Sequence, residues 1–286
     1  MMPSFKKFLF GVVISAFLGL LVNRVYPAAE PPVERARPVS SMLGSVDPVT
    51  LPGITPSFSR IPLPLQPPVL GGVDLTQDTI RDWLSDRSPE IFLTFDDGPS
   101  PKATALILDI LQAHDVKATF FVLGRNAAMW PELIERIVAE GHELALHSYS
   151  HANLTTLSWE QKKQEIADGL ALLHWQLPNL RIRWFRPPYG SYDQAVVDLA
   201  HAHSMCIAMF NEISIHSDSA VAEIVQTVVT GQGRIIVFHD GQWPRPTSLT
   251  AAEQRLLHGL AASIGVAKAQ GAEFKTLSNH FGSLCP

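Results

Sequence analysis

Four short clusters in this chain carry the residue types that hydrolytic chemistry needs: Thr94–Ser100 (TFDDGPS), His147–His151 (HSYSH), Arg186–Gly190 (RPPYG) and Phe238–Gly241 (FHDG). Asp97, His147 and His151 make a His₂-carboxylate set with open positions left for water and substrate, as catalytic zinc sites require. The same set also accepts cobalt, manganese or iron, so the metal's identity stays open. Neighbouring side chains on extended backbone point in opposite directions, so Asp96 does not easily join Asp97 on one ion. Asp96 is suited instead to take a proton from the water that the metal activates. His239 is suited to protonate a leaving group, and Arg186 to hold Asp96 ionised and oriented. Metal, base and acid together describe metal-assisted hydrolysis of an amide or ester.

Each cluster also has a plainer reading. A histidine pair four residues apart arises by chance in a chain with 11 histidines. An Asp-Asp-Gly sequence suits a turn, Arg186 before two prolines suits a surface loop, and His239 suits a strand end bonded to backbone. What sets the four apart is where they fall.

The elements that would position them follow a simple rhythm from Ile91 onward. β-rich runs at 91–95, 119–124, 142–147, 183–185, 205–210, 234–239 and 273–277 alternate with helical patterns near 102–114, 130–140, 158–176, 193–203, 220–230 and 250–270. Such alternation reads as βα units around a parallel sheet. Seven strand signals imply an α/β fold, a closed or nearly closed barrel one unit short of eight, with a doubly wound open sheet as the alternative. Either architecture puts reactive residues at the C-terminal ends of strands. All four clusters lie just past an apolar run and none at a strand start. Charged stretches such as Glu160–Glu165 read as a solvated helix face.

The rest of the chain is different material. Of 22 prolines, eleven lie between Pro27 and Pro68, in segments without helical periodicity that favour extended chain. Residues 27–72 therefore read as a linker, 73–286 as the folded domain, and a short helix is expected at Thr76–Ser85 with Thr76 as its cap. Before the linker, Lys6 and Lys7 precede an uncharged run from Phe8 to Val22. Residues 1–26 thus read as an export segment, either an uncleaved membrane anchor or a signal peptide, because no small-x-small cleavage site follows. The chain beyond it is expected outside the cytosol, anchored in the cell envelope, or periplasmic or secreted if the segment is removed. A net charge of −5 without any basic stripe argues against nucleic acid as a partner. Two cysteines exclude a disulfide-rich scaffold. Cys206 is expected to pack as a small apolar residue, with pairing to Cys285 open in an oxidising compartment.

TFDDGPS, HSYSH, RPPYGSYD and IIVFHDG, in this order, resemble the motifs of the polysaccharide deacetylases, the NodB-like carbohydrate esterases of family 4. The resemblance covers roughly Ile91–Leu277. It implies a distorted parallel (β/α)₇-type barrel, and removal of N-acetyl, or in some members O-acetyl, groups from a glycan with a divalent metal, often Zn²⁺. By position Asp96 resembles the catalytic base, Asp97, His147 and His151 the metal ligands, Arg186 the residue tethering the base, and His239 the general acid. The Tyr189 N–H, beside Pro188, resembles an oxyanion donor, and Val237 the residue lining the acetyl methyl pocket. One motif departs from the pattern. Where the family offers an Asp-Trp pair, this chain has Asn211–Asp218, leaving Asp218 or Glu212 as stand-in carboxylates and Trp243 as the aromatic wall. Tyr149 is also bulkier than many members carry, which narrows the site.

An acetylated glycan of the envelope or environment is thus the expected partner. Two other readings compete: a membrane-tethered glycan-binding module without turnover, and a metal-dependent amidase acting on a non-sugar amide. Short βα loops imply an open groove that suits a polymer, with Trp243, Tyr189 or Tyr192 offering a stacking face.

Overall fold

The computed structural model describes residues 79–80, 89–210, 219–231, 234–241 and 251–285. The export segment, the linker, residues 211–218 and Trp243 lie outside them. Among the described residues no helix is long and apolar enough to cross a membrane.

Short strands form a parallel sheet with helices outside and side chains inside, its central members buried on both faces. The strands are β1 (Thr79–Ile80), β2 (Glu90–Asp96), β3 (Thr119–Val122), β4 (Glu143–Leu146), β5 (Trp184–Phe185), β6 (Cys206–Ala208), β7 (Arg234–His239) and β8 (Glu273–Phe274). Every pairing is parallel, in the order β1-β6-β5-β4-β3-β2-β7. β7 follows β2 along Ile91–Asp96, while β3 and β8 both pair with β2, β3 at Thr94–Asp96 and β8 at Glu90–Ile91. The sheet curls into a half-barrel, a distorted form of the expected (β/α) barrel rather than a doubly wound sheet.

The helices are α1 (Ala103–Ala113), α2 (Gly124–Met129), α3 (Pro131–Ala139), α4 (Trp159–Gln176), α5 (Gln194–Ala202), α6 (Val221–Thr230), α7 (Ala251–Ala269) and α8 (Leu277–Phe281). Their apolar stripes, such as Ile107, Leu108 and Leu111 on α1, pack against the outer face of the sheet in one large cluster. Inside the curl a second cluster gathers Phe92, Phe121, Ala145, Trp184, Ala208 and Ile235 over Leu277 and Phe281 of α8. Glu143 caps that end, accepting from Trp184 Nε1 at 2.9 Å, Thr119 Oγ1 at 2.8 Å and the Ser278 N–H at 3.1 Å. Among the described residues the lower end of the half-barrel is filled.

The structure corrects four expectations. Thr79 and Ile80 form a strand beside β6, not part of a helix, because an open sheet edge satisfies their backbone. The run 119–124 ends its strand at Val122, and Gly124 starts an additional helix, α2. The final run 273–277 is a strand only to Phe274, since the Thr276 side chain accepts from the Asn279 N–H and starts α8. Cys206 is not a free apolar residue: it is joined to Cys285 in a disulfide that ties the C-terminal segment to β6.

Candidate active site

Alternate residues of a strand share a face. Phe92, Thr94 and Asp96 therefore rise inside the curl, and the register sets Ile235, Val237 and His239 directly opposite them. The lower pair is apolar, the middle pair mixed and the upper pair ionisable. Asp96 and His239 end their strands at the same level, where His147 follows β4 and Arg186 follows β5.

Around that rim Asp97, His147 and His151 converge, each offering one ligand atom within 4.8 Å of the others. Asp97 Oδ1 is 3.0 Å from His151 Nε2 and 3.4 Å from His147 Nε2. His147 Nδ1 lies 2.6 Å from the Arg186 carbonyl oxygen. Because a carbonyl only accepts, Nδ1 carries the proton, and Nε2 presents its lone pair to the other two ligands. Burial alone would raise the Asp97 carboxyl, but the two imidazoles outweigh it and hold it well below the usual carboxylate range. Burial likewise disfavours charge on His147, and the negative charges of Asp96 and Asp97 reverse this, raising its proton affinity. Asp97 Oδ1 is buried without a hydrogen bond of good geometry. An orphaned carboxylate oxygen facing two imidazole nitrogens is what a divalent cation would satisfy, so these residues fit the metal that their chemistry implies.

Beneath the triad, Arg186 is completely buried and Asp96 nearly so. Arg186 Nη1 donates to Asp96 Oδ1 at 2.7 Å and to Thr94 Oγ1 at 2.9 Å, and Nε donates to the Ala208 carbonyl at 2.9 Å. The guanidinium lies 3.9 Å from the centroid of the Phe121 ring. Arg186 is thus no surface-loop residue.

The remaining residues singled out from the sequence are placed as follows. Tyr189, at φ 60° in the turn after β5, is 69% exposed and its ring stands edge-on to His151 at 4.6 Å. Pro188 and Val237 are buried, and His239 is exposed at the rim. Trp243, Glu212 and Asp218 fall outside the described residues. Tyr149 packs over Gly124 and, with Ser150, Gln161, Gln164 and Asp168, lines a cleft of about 390 Å³ beside the histidine loop.

Three residues that the sequence reading passed over also reach the site. Glu165 of α4 does not lie on a solvated face: its carboxylate accepts from the Tyr149 and Ser150 N–H groups at 3.1 and 2.8 Å and from Ser150 Oγ at 2.5 Å. A signal existed in Gly169, one turn along, since a helix-interior glycine marks a close approach; a Cβ there would strike Leu146 and crowd the Ser148 backbone. Asn126 Nδ2 donates to the Asp97 carbonyl at 2.7 Å. Asp240 is buried behind Gly98, bonded to Thr104 and to the Asp96 carbonyl through its N–H. Burial first, and then the charges of Asp97 and Asp96, push its carboxyl up to about 7.

The curled parallel sheet, with its acidic and imidazole rim, defines an α/β half-barrel with a candidate metal site. The family model described as polysaccharide deacetylase matches residues 85–207. A chitooligosaccharide deacetylase of Sinorhizobium fredii is 34% identical over 171 residues, 59% of this chain and 80% of that protein. A peptidoglycan-N-acetylglucosamine deacetylase of Bacillus cereus is 31% identical over 195 residues, 67% of this chain and 68% of that one. A solved peptidoglycan N-acetylglucosamine deacetylase, in complex with a naphthyl-substituted N-hydroxybenzamide, superposes with a TM-score of 0.62 at 29% identity, covering 71% of this chain and 92% of the other. The chain belongs to the polysaccharide deacetylase family, and it is a hydrolase of amide bonds.

Proposed function

We propose that this protein removes acetyl groups, chiefly N-acetyl, from a polymeric or oligomeric glycan of the cell envelope or its surroundings, using a divalent metal held by Asp97, His147 and His151. The convergence of those three ligand atoms over the buried Asp96–Arg186 pair carries the reading. When bound, the metal acidifies a water and polarises the acetyl carbonyl.

The chain's own groups supply the rest. Asp96 takes the proton of the attacking water, and Arg186 keeps that carboxylate ionised and aimed. The Tyr189 N–H stabilises the developing oxyanion, and Val237 faces the acetyl methyl. His239 protonates the sugar nitrogen as its bond to the acetyl carbon breaks. Water and acetamide become acetate and a free amine. If the N-terminal segment stays in place as an anchor, the proline-rich linker behind it would let this reaction reach glycan well away from the bilayer.

The test is acetate release by the full-length chain, stripped of metal and reloaded with zinc, cobalt or manganese. Chitooligosaccharides, peptidoglycan and acetylxylan are offered in turn. Release from at least one glycan, restored by metal, supports the assignment. Metal binding with no release from any of them overturns it.

A further inference from the structure

Two of the three ligand residues are held in a backbone conformation that side-chain-bearing residues avoid. Asp97 has φ 73° and His151 φ 68°, and Ser148 between the two histidines has φ 68°. Such a conformation persists only where its surroundings fix it, although Asp tolerates it better than most. Asp97 Oδ1 and the two Nε2 atoms face one another. Hydrogen bonds from residues outside these loops fix that backbone.

The structure supplies two outside anchors. On the histidine loop, the Glu165 carboxylate grips three successive donors, the Tyr149 N–H, the Ser150 N–H and Ser150 Oγ, midway between His147 and His151. A carboxylate accepting from backbone N–H groups makes charge-assisted bonds, stronger than neutral ones. Within the loop, Ser148 Oγ accepts from the His151 N–H at 3.1 Å. On the aspartate loop, Asn126 Nδ2 clamps the carbonyl of Asp97 itself. Both anchors sit on helices outside the sheet, and neither is among the ligand atoms.

We propose that Glu165 and Asn126 are positioning residues that preset the metal-ligand loops, so that the ion meets a formed site instead of having to order one. The inference rests on the metal reading above. Removing a supporting group of this kind weakens metal binding by about 10–100-fold.

The test measures zinc affinity of the metal-free, full-length protein by competition with a chromophoric chelator, alongside thermal unfolding of the metal-free form. Glu165→Ala and Asn126→Asp, which turns a donor into a second acceptor facing the Asp97 carbonyl, should each weaken zinc binding at least tenfold. Glu165→Gln, which keeps an oxygen for the loop N–H groups, should fall between Glu165→Ala and wild type. Should Glu165→Ala fail to fold, the Gln variant decides. A merely structural role would lower the unfolding temperature but leave zinc affinity within twofold of wild type, and that result overturns the proposal. A wild-type protein that binds no zinc, or an Asp97→Ala variant that binds it unchanged, defeats the metal reading itself and this inference with it.

Discussion

Replacing Arg186 by Met should destabilise the protein by about 3–5 kcal/mol, the cost of breaking a buried ion pair from one side. The side chain is 0% exposed and Asp96 is 3% exposed, so whichever charge is left behind stays largely desolvated. Burial pushes the Arg186 guanidinium toward losing its charge, and Asp96 holds it back. The bond from Nη1 to Asp96 Oδ1 is 2.7 Å. With charge centres about 4 Å apart and an effective dielectric near 20, the attraction is about 4 kcal/mol. Asp96→Asn strands the opposite charge, but Thr94 Oγ1 and the Ala208 carbonyl still accept from the guanidinium, so its cost should be smaller. The double variant should cost less than the sum of the singles, by roughly 1–3 kcal/mol of coupling. Urea unfolding of the four metal-free proteins, followed by circular dichroism, measures this directly. Additivity within about 0.5 kcal/mol would refute the claim that the two residues act as one unit.

Three further outcomes follow from the packing. His142 is buried, and burial first, then Lys117 and Arg136, lower its pKa from 6.5 to about 4; its Nδ1 accepts the Ala118 N–H at 3.2 Å, which requires a neutral ring. The unfolded chain therefore binds the proton more readily, so stability should be complete above pH 6.5 and decline by at most about 3 kcal/mol toward pH 4. His142→Phe should flatten that part of the curve, and parallel wild-type and variant curves would contradict the assignment. Gly98→Ala and Gly241→Ala drive a methyl into the Asp240 carboxylate and the Asp97 carbonyl respectively, and each should cost about 1–3 kcal/mol of stability in urea unfolding. Cys285→Ser opens a disulfide spanning a sequence separation of 79, worth about 4 kcal/mol by loop entropy. Calorimetry should show the loss, with reductant having no further effect on the variant.

What was legible in the sequence was whatever repeats or abuts in the chain. The alternation of apolar runs with helical stretches gave the parallel strands from β2 to β7, because strands buried on both faces are continuous hydrophobic segments. Asp96, Asp97, His147 and Arg186 were found because each stands at or just past the end of such a run, and His151 because it lies four residues beyond His147. Elements that depend on a distant partner were not legible. β1 is two residues that become a strand only beside β6, and α8 exists because Leu277 and Phe281 fill the floor of the curl. Glu165 looked like one charge among several on an exposed helix, and only the fold brings it to the loop after β4. Asp240 stood inside a recognised motif, yet its burial against Gly98 is a tertiary fact with no local trace. Cys206 and Cys285 are far apart in sequence, and their pairing needed the C-terminal segment to return to β6.

The central claim is a division of labour, with Asp97, His147 and His151 holding the metal while Asp96 does proton chemistry beside it. The most direct test is bound zinc per protein together with acetate release for His151→Ala and Asp96→Asn, both in the full-length chain. The account predicts that His151→Ala loses zinc and activity together, whereas Asp96→Asn keeps its zinc and loses turnover. Equal zinc loss in the two variants, or undiminished acetate release by Asp96→Asn, would contradict it.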